Sequence, residues 1–393
     1  FKQKTAYEIP KRDWSSDVCS SDLEHMRSVR RRMMAGETLP ECEVCNDKLL
    51  NTSVYRDYFS HLFDHKLSEI FASTTPDGRT TMHPVSWDYR FSNLCNFKCR
   101  MCGDMLSSAW ETEQRTHNMV DYSNPKNNWM RVGIRKQISN FQENTIESEF
   151  AAAVERHDVE EIYWVGGEPL MYEQHWQYMK RIIELGDGPN VYARYNTNLS
   201  RIDYRGDNLY RDILSKIRDW QICASLDGTG QIGEYIRTGL VYSLFLNNFQ
   251  QGLEYATHSR QMRLDFTLTL PGMLEVENMQ NLANELGVEL LAKVVFSFSP
   301  DIVMSPLALP RHLLDNWVDE LVPNTTGALR DVLLQLKNRP TFEQQWPDQY
   351  RAGLAKGKAR VLKLEQIRTQ STTMTDILSA RPDVLEWWMN IND

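Results

Sequence analysis

The chain has 393 residues, 41% of them hydrophobic and 25% charged, with 19 glycines and 15 prolines, a composition of soluble globular proteins and not of disordered, collagenous or membrane chains. Its 44 Lys and Arg against 53 Asp and Glu leave a formal net charge of -9, which argues against a general nucleic-acid or anionic-membrane surface. No run approaches the roughly 18 apolar residues that span a bilayer, and no secretory signal precedes the first elements, so the expectation is a cytoplasmic protein.

Residues 1–23 show neither helical nor strand period. The run DWSSDVCSSDL reads as translated sequencing-adapter read-through, and the segment is set aside as a non-native tail without packed structure. Residues 24–84 form an N-terminal extension holding Cys42 and Cys45 in C-x2-C spacing. Two such thiolates grip zinc or iron, or act as a dithiol. A second metal site completed by His61, His65 or His83 and a packed or substrate-proximal pair both stay open.

A strand is expected over 85–91, and directly after it stands CNFKCRMC, with Cys95, Cys99 and Cys102 in C-x3-C-x2-C spacing. Clustered cysteines in a large intracellular chain are metal ligands or redox groups rather than a disulfide framework. Three thiolates on one short loop suit three irons of a four-iron cluster and leave the fourth iron open to a small chelating ligand. Zinc would need four closed ligands, and the next cysteine, Cys223, is over a hundred residues away.

This loop after a first strand resembles that of the radical SAM superfamily, and the resemblance covers most of 85–300. It implies that Cys95, Cys99 and Cys102 ligate a [4Fe-4S] cluster whose open iron is chelated by S-adenosylmethionine. Met101 holds the place where relatives often carry an aromatic residue near the adenine, and a thioether also packs on a purine ring. The implied fold class is α/β, a partial (β/α)6 TIM-like barrel over 85–300 with its chemistry at the C-terminal ends of the strands.

Later elements fit that frame in chain order. The interval 103–160 reads as the first barrel helix plus an insertion, with Trp110 and Trp129 packing. A strand over 161–165 ends in Gly166, Gly167, Glu168 and Pro169, followed by a helix over 172–185, which is strand, Gly-rich turn, helix. Glycines there let backbone approach a ligand, and a carboxylate beside them pairs with an ammonium. The resemblance assigns this GGEP run to the methionyl amine of S-adenosylmethionine, with Glu168 as the expected catalytic residue.

A strand over 191–195 ends in Asn196, Thr197 and Asn198, polar groups suited to ribose hydroxyls or substrate, and helical segments lead toward 219. The strand over 221–226 runs into Asp227 and Gly228. By resemblance Ser225 lies near S-adenosylmethionine, while Asp227 either joins it or caps the following loop. Cys223 shares the parity of Ser225 one pleat deeper, as a buried structural thiol. Residues 234–237 are expected to open a helix. There Arg237 by resemblance contacts the S-adenosylmethionine carboxylate, a task suited to guanidinium; the alternative is a solvated surface arginine. Strands over 263–270 and 290–298, with a helix over 275–286 between them, complete six.

Residues 301–393 read as a helical, twitch-like C-terminal extension over the open barrel side, with helices over 311–321, 327–337, 358–370 and 374–389. No cysteine follows Cys223, which rules out a cysteine-held auxiliary cluster of the usual C-terminal kind. The expected function is that of a radical SAM enzyme of the twitch and SPASM group, cleaving S-adenosylmethionine reductively to a 5'-deoxyadenosyl radical that takes hydrogen from a peptide or protein. Its electron would come from a donor such as a flavodoxin or ferredoxin. A nucleotide- or sugar-modifying enzyme and a non-catalytic metal-binding protein are the alternatives.

Overall fold

The structure, a computed structural model, describes residues 23–37, 39–40, 55–90, 92–121, 123–124, 127 and 131–391. Cys42, Cys45, Trp129 and nearly all of the N-terminal tail lie outside the described residues. The chain divides into two compact units, Phe1–Pro84 and Val85–Asp393. In the first, the arginine-rich helix Glu24–Met34 is tied to a loop: Arg27 pairs with the Asp77 carboxylate, while Arg31 and Arg30 donate to the carbonyls of Asp77 and Gly78 at 2.8 Å. His61, His65 and His83 are exposed.

The second unit is built on six parallel strands: β1 Ser86–Tyr89, β2 Glu161–Trp164, β3 Tyr192–Thr197, β4 Asp219–Ser225, β5 Met262–Leu268 and β6 Glu289–Val294. Their order in the sheet is their order in the chain, each pairing with the one before, and β1 and β6 are the edges. Parallel neighbours need crossovers long enough for a helix, and helices such as Glu173–Glu184, Tyr242–Tyr255 and Val276–Leu286 supply them.

Alternation along the strands separates two faces. Ile162, Trp164, Tyr195, Ile222, Leu264 and Phe266 are fully buried, in one core with the helix residues Phe150, Met179, Phe249 and Met279. The opposite parity is polar. Arg194 pairs with Glu161 at 2.6 Å and lies over the Tyr163 ring at 4.4 Å, Arg263 meets Glu289 at 3.0 Å, and Lys293 meets Asp265 at 2.6 Å. A parallel sheet covered on both sides is apolar on both, so this charged face stands apart from the core, and Tyr163, Asp265 and Lys293 on it line a cavity.

Several boundaries differ from expectation. β6 stops at Val294, where its partner β5 ends: the Val295 amide makes the last bond, to the Leu268 carbonyl at 3.1 Å. Beyond it Phe296 and Phe298 are 81% and 79% exposed. The helix expected from 358 spans Tyr350–Arg368, because Gly353 and Gly357 pack where a Cβ would collide with Pro300 and with Asp301 and Val303. The helix expected over 374–389 is two, Met374–Leu378 and Pro382–Met389, the second opened by its proline. Before 219 stand a two-residue hairpin ladder and short π and 3-10 turns in place of regular helix. The interval 103–160 holds helices Ser108–Thr116, Val132–Phe141 and Glu147–Glu155. Helices Arg311–Leu321 and Gly327–Asn338 stand where expected, the latter packed on β6. No helix among the described residues is long and apolar enough to cross a membrane.

Candidate functional site

The loop that follows β1 is held along its length. The Lys98 and Arg100 amides donate at 2.8 Å to the carbonyls of Thr238 and Ile236, and the Ser107 hydroxyl bonds the Phe97 carbonyl at 2.5 Å. Trp110, expected to pack, does so completely and also donates its indole N–H to the Cys99 carbonyl at 2.7 Å. Cys95, Cys99 and Cys102 thereby line one cavity of about 580 Å³ at the C-terminal ends of the strands, together with Met101, Gly166, Gly167, Asn198, Ser225 and Arg237.

N–H groups face the sulfurs. The Phe97 amide lies 3.4 Å from Cys95 Sγ, Asn198 Nδ2 lies 3.9 Å from the same atom, and Arg237 Nη1 lies 3.9 Å from Cys99 Sγ. Burial pushes the Cys95 thiol up to about 12. The neighbouring Cys102 draws the Cys99 thiol down, while Cys99 and burial raise the Cys102 thiol.

The glycines of GGEP serve a purpose that their expected role did not include. A Cβ on Gly166, at φ +118°, would lie 2.7 Å from the Tyr172 hydroxyl and 2.9 Å from the Ser92 carbonyl oxygen, and one on Gly167 would collide with the Leu94 carbonyl. The close approach they permit is to the cysteine loop itself. Two bonds seal it: Gly167 N to Ser92 O at 3.0 Å and Glu168 N to Leu94 O at 2.7 Å.

Glu168 and Pro169 lie behind this turn, buried and outside the cavity lining. Both Glu168 oxygens are engaged: Oε1 accepts from the Thr197 hydroxyl at 2.6 Å and the Leu170 amide at 3.1 Å, and Oε2 accepts from the Asn198 amide at 2.6 Å. Burial raises this carboxyl to about 7. It therefore joins the GGEP turn to the end of β3, whose Asn198 side chain bonds Asn96 of the cysteine loop at 3.0 Å.

Arg237 does not open a helix; it closes Gly230–Ile236, which starts earlier, directly after the bend of Asp227, Gly228 and Thr229. Neither is it a solvated arginine. Its side chain is 11% exposed and pairs with the fully buried Asp227 carboxylate at 2.7 Å. The other Asp227 oxygen accepts from the Thr267 amide at 2.8 Å, and burial raises the carboxyl. The loop after β4 is instead capped by Glu275, which accepts from the Thr229 amide and hydroxyl at 2.7 and 2.6 Å.

Other cavity residues were not singled out in the sequence. Asp265, Thr267, Lys293, Tyr163 and Arg90 line it, and the polar alternation of β5 was the signal that could have placed Asp265 and Thr267. Cys223 lies on the same face as Ser225 and pairs in register with Arg263; it is partly rather than fully buried, and burial raises its thiol to about 11.

The donor set fits an iron–sulfur cluster: three thiols on one loop, with N–H groups directed at their sulfurs, a means by which proteins tune such clusters. No three His, Cys, Asp or Glu side chains among the described residues are grouped as ligands of a single ion. A cluster asks for no such convergence, since its thiolates bind separate irons.

No family model matches the chain, and no curated protein matches it. Among solved structures it is similar to SuiB of Streptococcus suis. Against SuiB bound to S-adenosylmethionine the identity is 13% over 76% of this chain and 60% of that one, with a TM-score of 0.37. For the crystal structure of SuiB the values are 12%, 71%, 62% and 0.38, and for SuiB bound to the precursor peptide SuiA they are 14%, 80%, 65% and 0.38. The chain thus spans about three fifths of SuiB's length. Likeness at this level carries no chemistry, which has to come from the site.

Proposed function

We propose that the chain is a radical SAM enzyme, built as a partial six-stranded barrel and acting on a peptide or protein. One observation carries the reading: three cysteines of a single loop line one cavity at the C-terminal ends of parallel strands, and the GGEP turn packs on that same loop.

In this reading Cys95, Cys99 and Cys102 hold three irons of a [4Fe-4S] cluster. When bound and reduced, such a cluster supplies one electron to S-adenosylmethionine, which parts into methionine and a 5'-deoxyadenosyl radical that takes a hydrogen atom from substrate. The chain's own residues bind and orient. Met101, Gly166, Asn198 and Ser225 form the walls against which the nucleoside and methionine are seated. Arg237, kept charged by Asp227, offers its donors to a carboxylate. Glu168 sets the GGEP turn against the end of β3, and the fully buried Phe97 and Trp110 keep water from the back of the loop.

The open edges at β1 and β6 suit a substrate larger than a metabolite. Exposed Met105, Leu106 and Phe296 line the cavity alongside the charged sheet face, a mixture that suits a polypeptide. The reductant is a one-electron protein donor of the flavodoxin or ferredoxin kind. The test is incubation of the anaerobically reconstituted, reduced chain with S-adenosylmethionine, followed by chromatography. Equal amounts of 5'-deoxyadenosine and methionine are expected, lost in Cys99→Ala; their absence from iron-loaded protein would contradict the reading.

A further inference from the structure

The cavity involves no residue beyond Phe296, yet the last turn of the helix Tyr350–Arg368 reaches the cysteine loop. The Arg368 side chain is 1% exposed. It grips Glu113, itself 4% exposed, through Nε at 3.2 Å to both oxygens and Nη2 at 2.8 Å to Oε2. Its Nη1 donates to the Thr238 hydroxyl at 3.0 Å, and its guanidinium lies over Trp110 at 4.5 Å. Glu113 also holds Lys98 at 2.7 Å, and Trp110 holds the Cys99 carbonyl.

A second tie runs beside the first. Gln370 accepts from Arg100 and donates to Thr238 at 3.4 Å. Arg100 is buried with its guanidinium 3.7 Å over the Tyr235 ring, and the Tyr235 hydroxyl donates to Glu365 of the same C-terminal helix at 2.5 Å. The residues on either side of Cys99, Lys98 and Arg100, are thus both held, directly or through Glu113, by the C-terminal segment.

Packing a helix does not require this. Buried charges are costly unless fully paired, and an apolar contact would dock a helix as well. The same unit contains the cheaper version: Arg381 lies over Trp317 at 4.9 Å and pairs with Glu320, which is 58% exposed. What the buried version adds is direction, because charge-assisted bonds fix geometry where apolar contacts slide.

We infer that Arg368 and Gln370 are positioning residues for the cluster loop, holding Lys98 and Arg100 so that Cys99 keeps its sulfur toward the cavity. This rests on the proposed role of the three cysteines as cluster ligands. The C-terminal helices are then a brace for the metal site in addition to any role toward substrate.

The test uses the full chain as wild type, Arg368→Lys, Arg368→Leu, Gln370→Ala and the control Arg381→Leu. Three quantities are measured: iron loss from the reconstituted protein to a ferrous chelator, iodoacetamide alkylation of Cys99 in the iron-free protein by peptide mass spectrometry, and the thermal midpoint. In Arg368→Leu and Gln370→Ala both rates should rise about tenfold, the scale on which one buried charge-assisted bond shifts a local opening. Arg368→Lys, which keeps the charge, should rise less. Arg381→Leu should lower the midpoint and move neither rate. Rates in Arg368→Leu and Gln370→Ala no faster than in Arg381→Leu would overturn the inference, and Gln370→Ala decides alone if Arg368→Leu does not fold. A wild type that takes up no cluster would sink the proposed function, while the alkylation rates would still decide the brace.

Discussion

Gly167 lies against the Leu94 carbonyl so closely that no side chain fits between them. The glycine of one βα turn is thereby the seat of the loop that carries three cysteines a strand earlier in the chain. Gly167→Ala must push the two apart, an overpacking that costs about 1–3 kcal/mol. The displaced loop should take up less iron on reconstitution than wild type, measured by iron assay after desalting. Full iron loading in this variant would mean that the contact is incidental to the loop's shape.

Glu168→Ala removes the acceptor for the Thr197 hydroxyl and the Asn198 and Leu170 amides. Each buried donor left unmade costs about 1–3 kcal/mol. The cysteines are untouched, so iron content should hold. Cleavage of S-adenosylmethionine should slow on the order of 10- to 100-fold, as when a binding wall moves by a fraction of an ångström to one ångström. Assaying iron and 5'-deoxyadenosine on one sample separates the two effects, and unchanged cleavage would remove the GGEP assignment.

Asp227 and Arg237 offer a cycle of substitutions. Asp227→Asn strands a buried guanidinium and should cost about 3–5 kcal/mol in urea unfolding of the iron-free chain, as should Arg237→Met by stranding the carboxylate. The double variant strands neither, and its loss should be well below the sum. Additive losses would show that the pair at 2.7 Å is not coupled.

His175 gives the fold a pH signature. It is fully buried among Trp164, Trp176 and Tyr195, with Nε2 3.0 Å from the Tyr195 hydroxyl, and burial lowers its pKa to about 3. The unfolded imidazole titrates near 6.5, so between those values the unfolded chain binds the extra proton. The contribution is full above pH 6.5 and is lost as pH falls toward 3. From pH 7 to pH 5 wild type should lose about 2 kcal/mol more than His175→Phe, read from urea midpoints at each pH. Parallel curves would show that the imidazole takes up its proton in the folded chain as readily as in the unfolded one.

The elements legible in the sequence were those whose signal is local. The C-x3-C-x2-C spacing and the GGEP turn lie within a few residues each, and the strands alternate or run apolar over short spans. Arg237 ends its helix where the sequence suggests a beginning, because three glycines within six residues, Gly228, Gly230 and Gly233, hide the start of a helix that tertiary packing imposes. Gly353 and Gly357 hid the first turns of the longest helix for the same reason: their packing partners, Pro300, Asp301 and Val303, are distant in sequence. Nor does any pattern pair Glu113 with Arg368 across 255 positions. The polar parity of β5 was visible, but which face met a cavity depends on the whole sheet.

The central claim is that Cys95, Cys99 and Cys102 hold three irons of a cluster and leave the fourth open. Electron paramagnetic resonance of the reduced, reconstituted chain tests it most directly, with and without S-adenosylmethionine and alongside an iron and sulfide count. The account predicts about four irons and four sulfides per chain, a reduced-cluster signal that shifts when S-adenosylmethionine is added, and loss of that signal in Cys99→Ala. A signal indifferent to S-adenosylmethionine, or one that survives in Cys99→Ala, would contradict it.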